Sequence, residues 1–395
     1  MDYLILHNDY PVCAVSIDEN YRIEKIRELH DKTRLPVGLR EAEKVSAADM
    51  DAWLFSRAIP EKREGLELIL EKNNVESNRE LLVKNLGLGL SDHYWIKAER
   101  SSHTWKEVNF FENNFGEAGD DIFIGNYEEK MAGERTPNGA SSGMLPKKWV
   151  LRAGERYLMK GSDDVYRQEP FNERIASCFL DALAVDHVPY ELIWYKGNPY
   201  SLCKNMLGAD NELISAYYIQ KMKKRDKRTS YYDHYIECCK MAGLGEDIRK
   251  DLEKMIVVDY IIANTDRHWS NFGVIRNATT LKAERLAPLY DNGTSFFTKI
   301  HHLAIPSKNR FLTCQSFKRQ QNDAIKLVND FSWIKKEAVN ELPGVVEETL
   351  HLNKFIDNDR RRAIVEGIRE RIHMADRHIT YAQSGGGCTT PRVML

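Results

Sequence analysis

Two short loops that carry three polar side chains constrain the fold of this chain most strongly. The first loop holds Asp266 and, five residues later, Asn271, and the second begins with Asp291 in an Asp-Asn-Gly turn. Residues 247–263 place apolar side chains at helical spacing, so we predict a buried helix directly before the first loop. A hairpin should then lead the chain back to Asp291, with strands at 272–275 and 286–290. Such a hairpin would let the three polar groups converge.

These three groups form a set that suits phosphoryl transfer. One carboxylate can orient an attacking hydroxyl, while an amide oxygen and a second carboxylate can hold Mg²⁺ against phosphates. The spacing from Asp266 to Asn271 is similar to that of a kinase catalytic loop, and Asp291 stands where kinases place Asp-Phe-Gly. Taken singly, Asp and Asn in loops are turn formers that bond their own backbone, so the prediction depends on the three together.

His268 lies in the same loop and is a further catalytic candidate. It could take part in proton transfer or could order the loop by hydrogen bonding. We favour the structural role, because Asp266 already fills the position of the base.

A segment rich in small residues lies upstream. The run from Thr136 to Met144 contains Ser141, Ser142 and Gly143, whose backbone N–H groups could approach phosphate oxygens. The run is neither a P-loop nor the glycine motif of eukaryotic kinases. By itself it would be a flexible hairpin tip.

Lys160 ends the apolar strand that follows this run. Its ammonium could neutralise phosphates inside a cleft, or it could simply reach solvent from the end of the strand. Asn172-Glu173 opens the next predicted helix, with Glu173 in the first turn. Glu173 is the best candidate to pair with Lys160, and a helix-capping role is the alternative.

A hinge for a nucleotide base is predicted from order alone. Strands at 190–195 and 200–203 form a predicted hairpin. The next residues, Lys204–Met206, would then meet adenine with their backbone, with Cys203 and Asn205 at the contact.

Three segments together resemble the HipA-like serine/threonine kinases of bacteria, a branch of the protein-kinase-like superfamily. They are the TDRHWSNF segment, the APLYDNG segment and the Ser/Gly loop that is followed by YLMK. The motifs span about residues 136–293, and because each is short, their specificity comes from order and spacing. The N-terminal third also resembles an extension that some members carry.

The resemblance implies a two-lobed α+β fold of the HipA type and a kinase that uses ATP and Mg²⁺. It implies that Asp266 orients the acceptor hydroxyl and that Asn271 and Asp291 bind Mg²⁺. Lys160 would hold phosphates, and Glu173 would fix that lysine.

Further implications of the resemblance concern substrates and partners. The acceptor would be a serine or threonine of a protein substrate, and Ser141 or Ser142 could itself be phosphorylated. A DNA-binding antitoxin would be a partner, and the protein would be toxin-like.

The chain divides into four predicted parts. They are an α/β extension over 1–115, a nucleotide-binding lobe over 116–207, a helical catalytic lobe over 208–383 and a disordered tail over 384–395. A polar helix over 210–241 would carry the basic cluster Lys221–Arg228 on a solvated face rather than in a nucleic-acid site. Later helices are predicted at 331–336, 345–350 and 359–381.

Composition excludes several classes of protein. The 395 residues carry 57 basic and 59 acidic side chains, a net charge of −2 that would attract neither nucleic acid nor an anionic membrane. We expect a cytoplasmic protein without a membrane contact, because the sequence lacks a signal peptide and a long apolar run. The seven cysteines form no Cys-x-x-Cys pair, which predicts free thiols and no zinc.

Two other functions fit the same motifs. Phosphoinositide kinases share the Asp-Arg-His motif and its asparagine in outline, so a lipid or small-molecule kinase is one alternative. The lack of an evident basic amphipathic helix disfavours a lipid acceptor. A regulatory module that binds nucleotide without catalysis is the other alternative, and the presence of all three transfer residues disfavours it.

Overall fold

Antiparallel sheets and packed helices make up the computed structural model, which describes residues 1–63, 66–115, 137–140 and 145–383. The chain divides into two compact units. The first contains Met1–Asp164, Val188–Gly245 and Gly273–Ala287, and the second contains Val165–His187, Glu246–Phe272 and Pro288–Leu395. The predicted disordered tail lies outside the described residues, and the four predicted domain boundaries stay a prediction.

A four-stranded sheet opens the first unit. Its strands have the order β3-β2-β1-β4 and the bounds β1 Asp2–His7, β2 Tyr10–Ile17, β3 Ile23–Leu29 and β4 Tyr94–Ala98. The apolar face of this sheet packs on α1 Ala47–Phe55 and α3 Asn78–Lys84. The same part of the chain also forms α2 Leu66–Lys72 and α4 Trp105–Val108. Ser77 caps α3 by accepting the N–H of Glu80, and the Glu80 carboxylate accepts the N–H of Glu76.

A second sheet carries the predicted strand lysine. Its order is β5-β6-β8-β7, with β5 Lys147–Arg152, β6 Glu155–Lys160, β7 Tyr190–Tyr195 and β8 Asn198–Lys204. The β5–β6 turn is formed by Ala153 and Gly154, both with positive φ. The hairpin tip predicted within Thr136–Met144 lies largely outside the described residues and stays a prediction. Pro137–Ala140 forms a short 3₁₀ helix, and Ser141, Ser142 and Gly143 lie outside the described residues.

A third sheet overturns the prediction of one long helix over 210–241. Its order is β11-β10-β9, with β9 Asn211–Ser215, β10 Gly273–Asn277 and β11 Ala283–Leu286. Two short helices, α6 Ala216–Ile219 and α7 Tyr231–Ala242, follow β9. The basic cluster Lys221–Arg228 lies in the turns between them rather than on a helix face. The strand predicted at 286–290 ends at Leu286 instead, because Pro288 cannot donate to a ladder.

Glycine is required at the start of β10. A Cβ on Gly273 would lie 2.3 Å from the carbonyl oxygen of Ile214 on β9. Such close backbone approach is open only to a residue without a side chain.

A buried ion pair joins these strands. Arg276 on β10 donates through Nε to Glu212 Oε1 on β9 at 2.7 Å, and His7 on β1 lies 3.2 Å from the same carboxylate. Burial raises the pKa of Glu212, but the charge of Arg276 and the hydrogen bond from His7 outweigh it and hold that pKa well below its usual range. Arg34 donates to His7 Nδ1 at 3.1 Å, so Nε2 carries the proton that faces Glu212. His7, His93 and Glu212 place one ligand atom each within 4.8 Å of one another, a spacing that could hold a metal ion. The guanidinium groups of Arg34 and Arg276 already hydrogen-bond to His7 and Glu212.

The second unit is helical in its described part. Its helices are α5 Glu169–Leu183, α8 Ile248–Ile261, α9 Ile305–Lys308, α10 Gln321–Ala324, α11 Lys336–His351 and α12 Asn358–Gln383. α5 begins three residues before its predicted start, so Glu169 and not Glu173 occupies the first turn. Residues 331–335 form turns and loop, which corrects the helix predicted at 331–336. The buried helix predicted at 247–263 is confirmed as α8.

Candidate functional site

The first polar loop begins where α8 ends. Asn264 donates to Asp259 Oδ1 in the last turns of α8 at 2.9 Å, and it accepts the N–H of Asp266 at 3.0 Å. Ala263 adopts a left-handed conformation at φ 57°, which turns the chain out of the helix. The loop that carries Asp266 is therefore fixed to the helix by one buried amide.

Arg267 hydrogen-bonds to both polar loops of the second unit. Its guanidinium is 1% exposed and pairs with Asp259 at 2.9 Å. One of its nitrogens donates to the carbonyl oxygens of both Asn271 and Tyr290, at 2.8 and 2.5 Å, and another donates to Asn292 Oδ1 at 2.6 Å. Burial disfavours the charge, but Asp259 outweighs it and raises the pKa of Arg267. A permanent buried cation thus holds Asn271 beside the residues that flank Asp291.

Hydrogen bonds inside the first loop fix its shape. Asn271 donates from Nδ2 to the carbonyl oxygen of Asp266 at 3.0 Å, and its backbone N–H donates to the carbonyl oxygen of His268 at 2.8 Å. His268 accepts the N–H of Ser270 at its Nδ1, at 3.1 Å. With its nitrogen engaged, the Asn271 side chain keeps its amide oxygen for a ligand. His268 serves the loop backbone in this arrangement.

Helix α5 holds the Asp-Asn-Gly turn. Glu173 is 1% exposed and accepts the N–H of Asn292 at 2.9 Å, and Asn172 donates to the carbonyl oxygen of Gly293 at 2.7 Å. Asp291 itself has a positive φ of 59°, a conformation that its neighbours must impose. Glu173 thus contacts the turn, while its predicted pairing with Lys160, which belongs to the first unit, stays a prediction.

The two carboxylates of the site repel each other. Burial is the largest cause that raises the pKa of Asp266, and the negative charge of Asp291 raises it further, against His268, Gln315 and Arg267. The Asp291 carboxylate and the Asn271 amide oxygen are oxygen donors of the kind that suits a hard divalent cation. The residues present therefore fit Mg²⁺.

The other predicted site residues belong to the first unit. Lys160 is buried at the end of β6, with its ammonium 5.4 Å from the centre of the Tyr190 ring. Cys203 directs its thiol to the Leu158 carbonyl oxygen, and Asn205 donates to that of Leu90 at 3.2 Å. Their predicted roles toward a nucleotide stay predictions.

Sequence reasoning missed the residues that support the loops. Arg267 lies inside the motif, between the proposed base Asp266 and the proposed ligand Asn271. This position could have indicated that its guanidinium hydrogen-bonds within the site. Asn264, one residue past an apolar helix, carried a similar signal. Gln315 had none, because it reaches the loop from 49 residues downstream.

Comparisons with known proteins place this geometry in context. The profile of the HipA-like C-terminal domain matches residues 139–346. The chain is similar to HipA of Shewanella oneidensis MR-1, solved with HipB and operator DNA, at 11% identity and TM-score 0.54, over 97% of this chain and 98% of that one. This likeness confirms the predicted α+β fold of the HipA type.

A second solved structure is similar over part of the chain. The proinflammatory kinase CtkA of Helicobacter pylori shares 15% identity at TM-score 0.49, over 61% of this chain and 95% of that one. The comparison with curated proteins finds no match. No helix in the described ranges combines the length and apolar character needed to cross a bilayer.

Proposed function

The chain belongs to the family defined by the HipA-like C-terminal domain, and from that premise we propose that it is an ATP- and Mg²⁺-dependent serine/threonine kinase. The observation that carries the proposal is the position of Arg267. This side chain ties the loop of Asp266 and Asn271 to both neighbours of Asp291. Three groups with the chemistry of phosphoryl transfer thereby belong to one hydrogen-bonded network.

In the proposed mechanism the chain supplies position and charge rather than a covalent intermediate. Asp266 would orient the acceptor hydroxyl and take its proton during transfer. Asn271 and Asp291 would hold Mg²⁺, which supplies neutralisation of the phosphate charge when bound. The network that fixes the loops would hold these groups in place before the substrate arrives.

The roles proposed for the other predicted residues rest on the resemblance. Lys160 would hold phosphates, with Glu173 as its partner, and the backbone of Ser141, Ser142 and Gly143 would approach them. Cys203 and Asn205 would meet the base.

We propose a DNA-binding antitoxin as the protein partner and a toxin-like role. Support comes from the Shewanella oneidensis structure, in which HipA is assembled with HipB and operator DNA. The alignment spans 97% of this chain, including the extension over 1–115.

Replacement of the proposed base tests the function. Asp266→Ala should lower phosphate transfer from [γ-³²P]ATP by at least about 10²-fold, because this carboxylate is the group proposed to take the proton. Binding of ATP, measured by calorimetry, should change little. Asp247→Ala is the matched control, since this exposed acid lies before the opposite end of α8. Mass spectrometry of the wild-type reaction should find phosphate on Ser141 or Ser142.

Two results would contradict the proposal. Transfer by Asp266→Ala at the wild-type rate would remove this residue from the role of base. A wild-type chain that binds ATP but transfers no phosphate to itself, to protein mixtures or to lipids would instead be a regulatory module.

A further inference from the structure

The segment Leu312–Gln321 closes against the loop that carries Asp266. Gln315, in the middle of this segment, donates from Nε2 to Asp266 Oδ1 at 2.9 Å and to the carbonyl oxygen of Thr265 at 3.2 Å. Among the described residues, Gln315 is the only side chain that hydrogen-bonds the Asp266 carboxylate. The contact joins parts of the chain 49 residues apart.

The segment is anchored on both sides of Gln315. The Phe317 ring is buried and lies 5.4 Å from Trp269 and 5.7 Å from Phe272, centre to centre. Gln321 donates to the carbonyl oxygen of Asn264 at 2.6 Å. These contacts grip the Asp266 loop before and after Asp266, so the segment cannot shift without moving that loop.

A short turn holds Gln315 between these anchors. Cys314 donates its N–H to the carbonyl oxygen of Arg319 at 3.0 Å, and Thr313 and Gln320 form an antiparallel bridge. The Gln315 side chain is itself exposed. Its amide is placed by the backbone of the turn rather than by packing around it.

We propose that Gln315 is a positioning residue, which holds Asp266 Oδ1 so that Oδ2 faces the acceptor hydroxyl. This inference rests on the proposed function, because it assigns a role to the same carboxylate. A neutral amide suits the task, since it donates a hydrogen bond without forming an ion pair that would compete with the substrate. Without it, the carboxylate gains rotational freedom and loses part of its alignment for proton transfer.

The test separates positioning from folding and from binding. Gln315→Met keeps the length of the side chain but removes the donor, and Gln315→Asn keeps the amide on a shorter side chain. We expect Gln315→Met to lower kcat about tenfold, with the KM for ATP and for a protein acceptor within about twofold of wild type. The kcat of Gln315→Asn should fall between those of Gln315→Met and wild type. Lys318→Ala, a change of an exposed side chain in the same turn, is the matched control.

The wild-type arm distinguishes the two possible failures. If the wild-type chain transfers no phosphate, the proposed function fails and the role of Gln315 fails with it. If wild type transfers phosphate and Gln315→Met has the same kcat, only the positioning role is overturned. A rise in KM at constant kcat would also overturn it, because that pattern assigns Gln315 to substrate binding.

Discussion

At the scale of single residues, Arg267 decides the geometry of the site. It donates to a carboxylate on α8, to a carbonyl oxygen in the first polar loop, and to a carbonyl oxygen and an amide oxygen on either side of Asp291. Only arginine offers enough donors in a rigid plane to serve all four. Its loss would leave Asp259 buried without a cation.

Arg267→Met should therefore destabilise the protein by about 3–5 kcal/mol, the usual effect of removing one partner of a buried ion pair. Urea or thermal unfolding measures the change. Arg369→Met is the control, because this arginine pairs with Glu366 at the surface of α12 and should change stability by less than about 1 kcal/mol. Equal losses in both variants would refute the structural role of Arg267.

The same residues show which parts of the site a sequence can predict. Asp266, Asn271 and Asp291 carry their signal in local spacing, so they could be proposed as a set without a structure. The sequence shows Arg267 within the motif but does not show that it joins the two loops. Its partners at 259, 290 and 292 are brought to it only by folding. Gln315 could not be found, since nothing in its neighbourhood marks a contact with Asp266.

At the scale of elements, long-range pairing explains the main errors of prediction. β9 is short and polar, and it becomes a strand because β10, about sixty residues later, pairs with it. The late start predicted for α5 has a local cause, since Pro170 in its first turn was an unused start signal. Strands β7 and β8, on either side of the turn at Lys196-Gly197, were predicted close to their observed bounds.

Helix α12 supports the Asp-Asn-Gly segment through a glycine. A Cβ on Gly367 would lie 2.7 Å from Phe297 and 2.8 Å from Ile305, whereas a Cβ on Gly344 of α11 would meet no atom within 4 Å. Phe297 is buried, with a positive φ, a few residues after Asp291. The close packing of α12 thus reaches the segment that follows the second polar loop.

These two glycines give a matched pair of variants. Gly344→Ala should stabilise the protein by about 0.5–1 kcal/mol, because alanine lowers the entropy of the unfolded chain at an open site. Gly367→Ala gains the same entropy but should be destabilising by about 1–3 kcal/mol through overpacking. Denaturant titration compares them, and an equal gain in both would show that α12 does not pack tightly on Phe297.

At the scale of the whole molecule, the candidate site is assembled from three separate parts of the chain. α5 supplies Glu173 and Asn172, α8 and its loop supply Asp259 to Asn271, and the segment after Pro288 supplies Asp291 and Gln315. Motif order predicted two of these parts. The contacts between the later segment and the Asp266 loop could be identified only in the folded chain.

The most direct test of the account is a crystal structure with Mg²⁺ and a non-hydrolysable ATP analogue. We expect one Mg²⁺ with the amide oxygen of Asn271 and a carboxylate oxygen of Asp291 both at about 2.1 Å, and Asp266 facing the terminal phosphate without binding the ion. Mg²⁺ held by phosphates alone, with neither Asn271 nor Asp291 as a ligand, would contradict it.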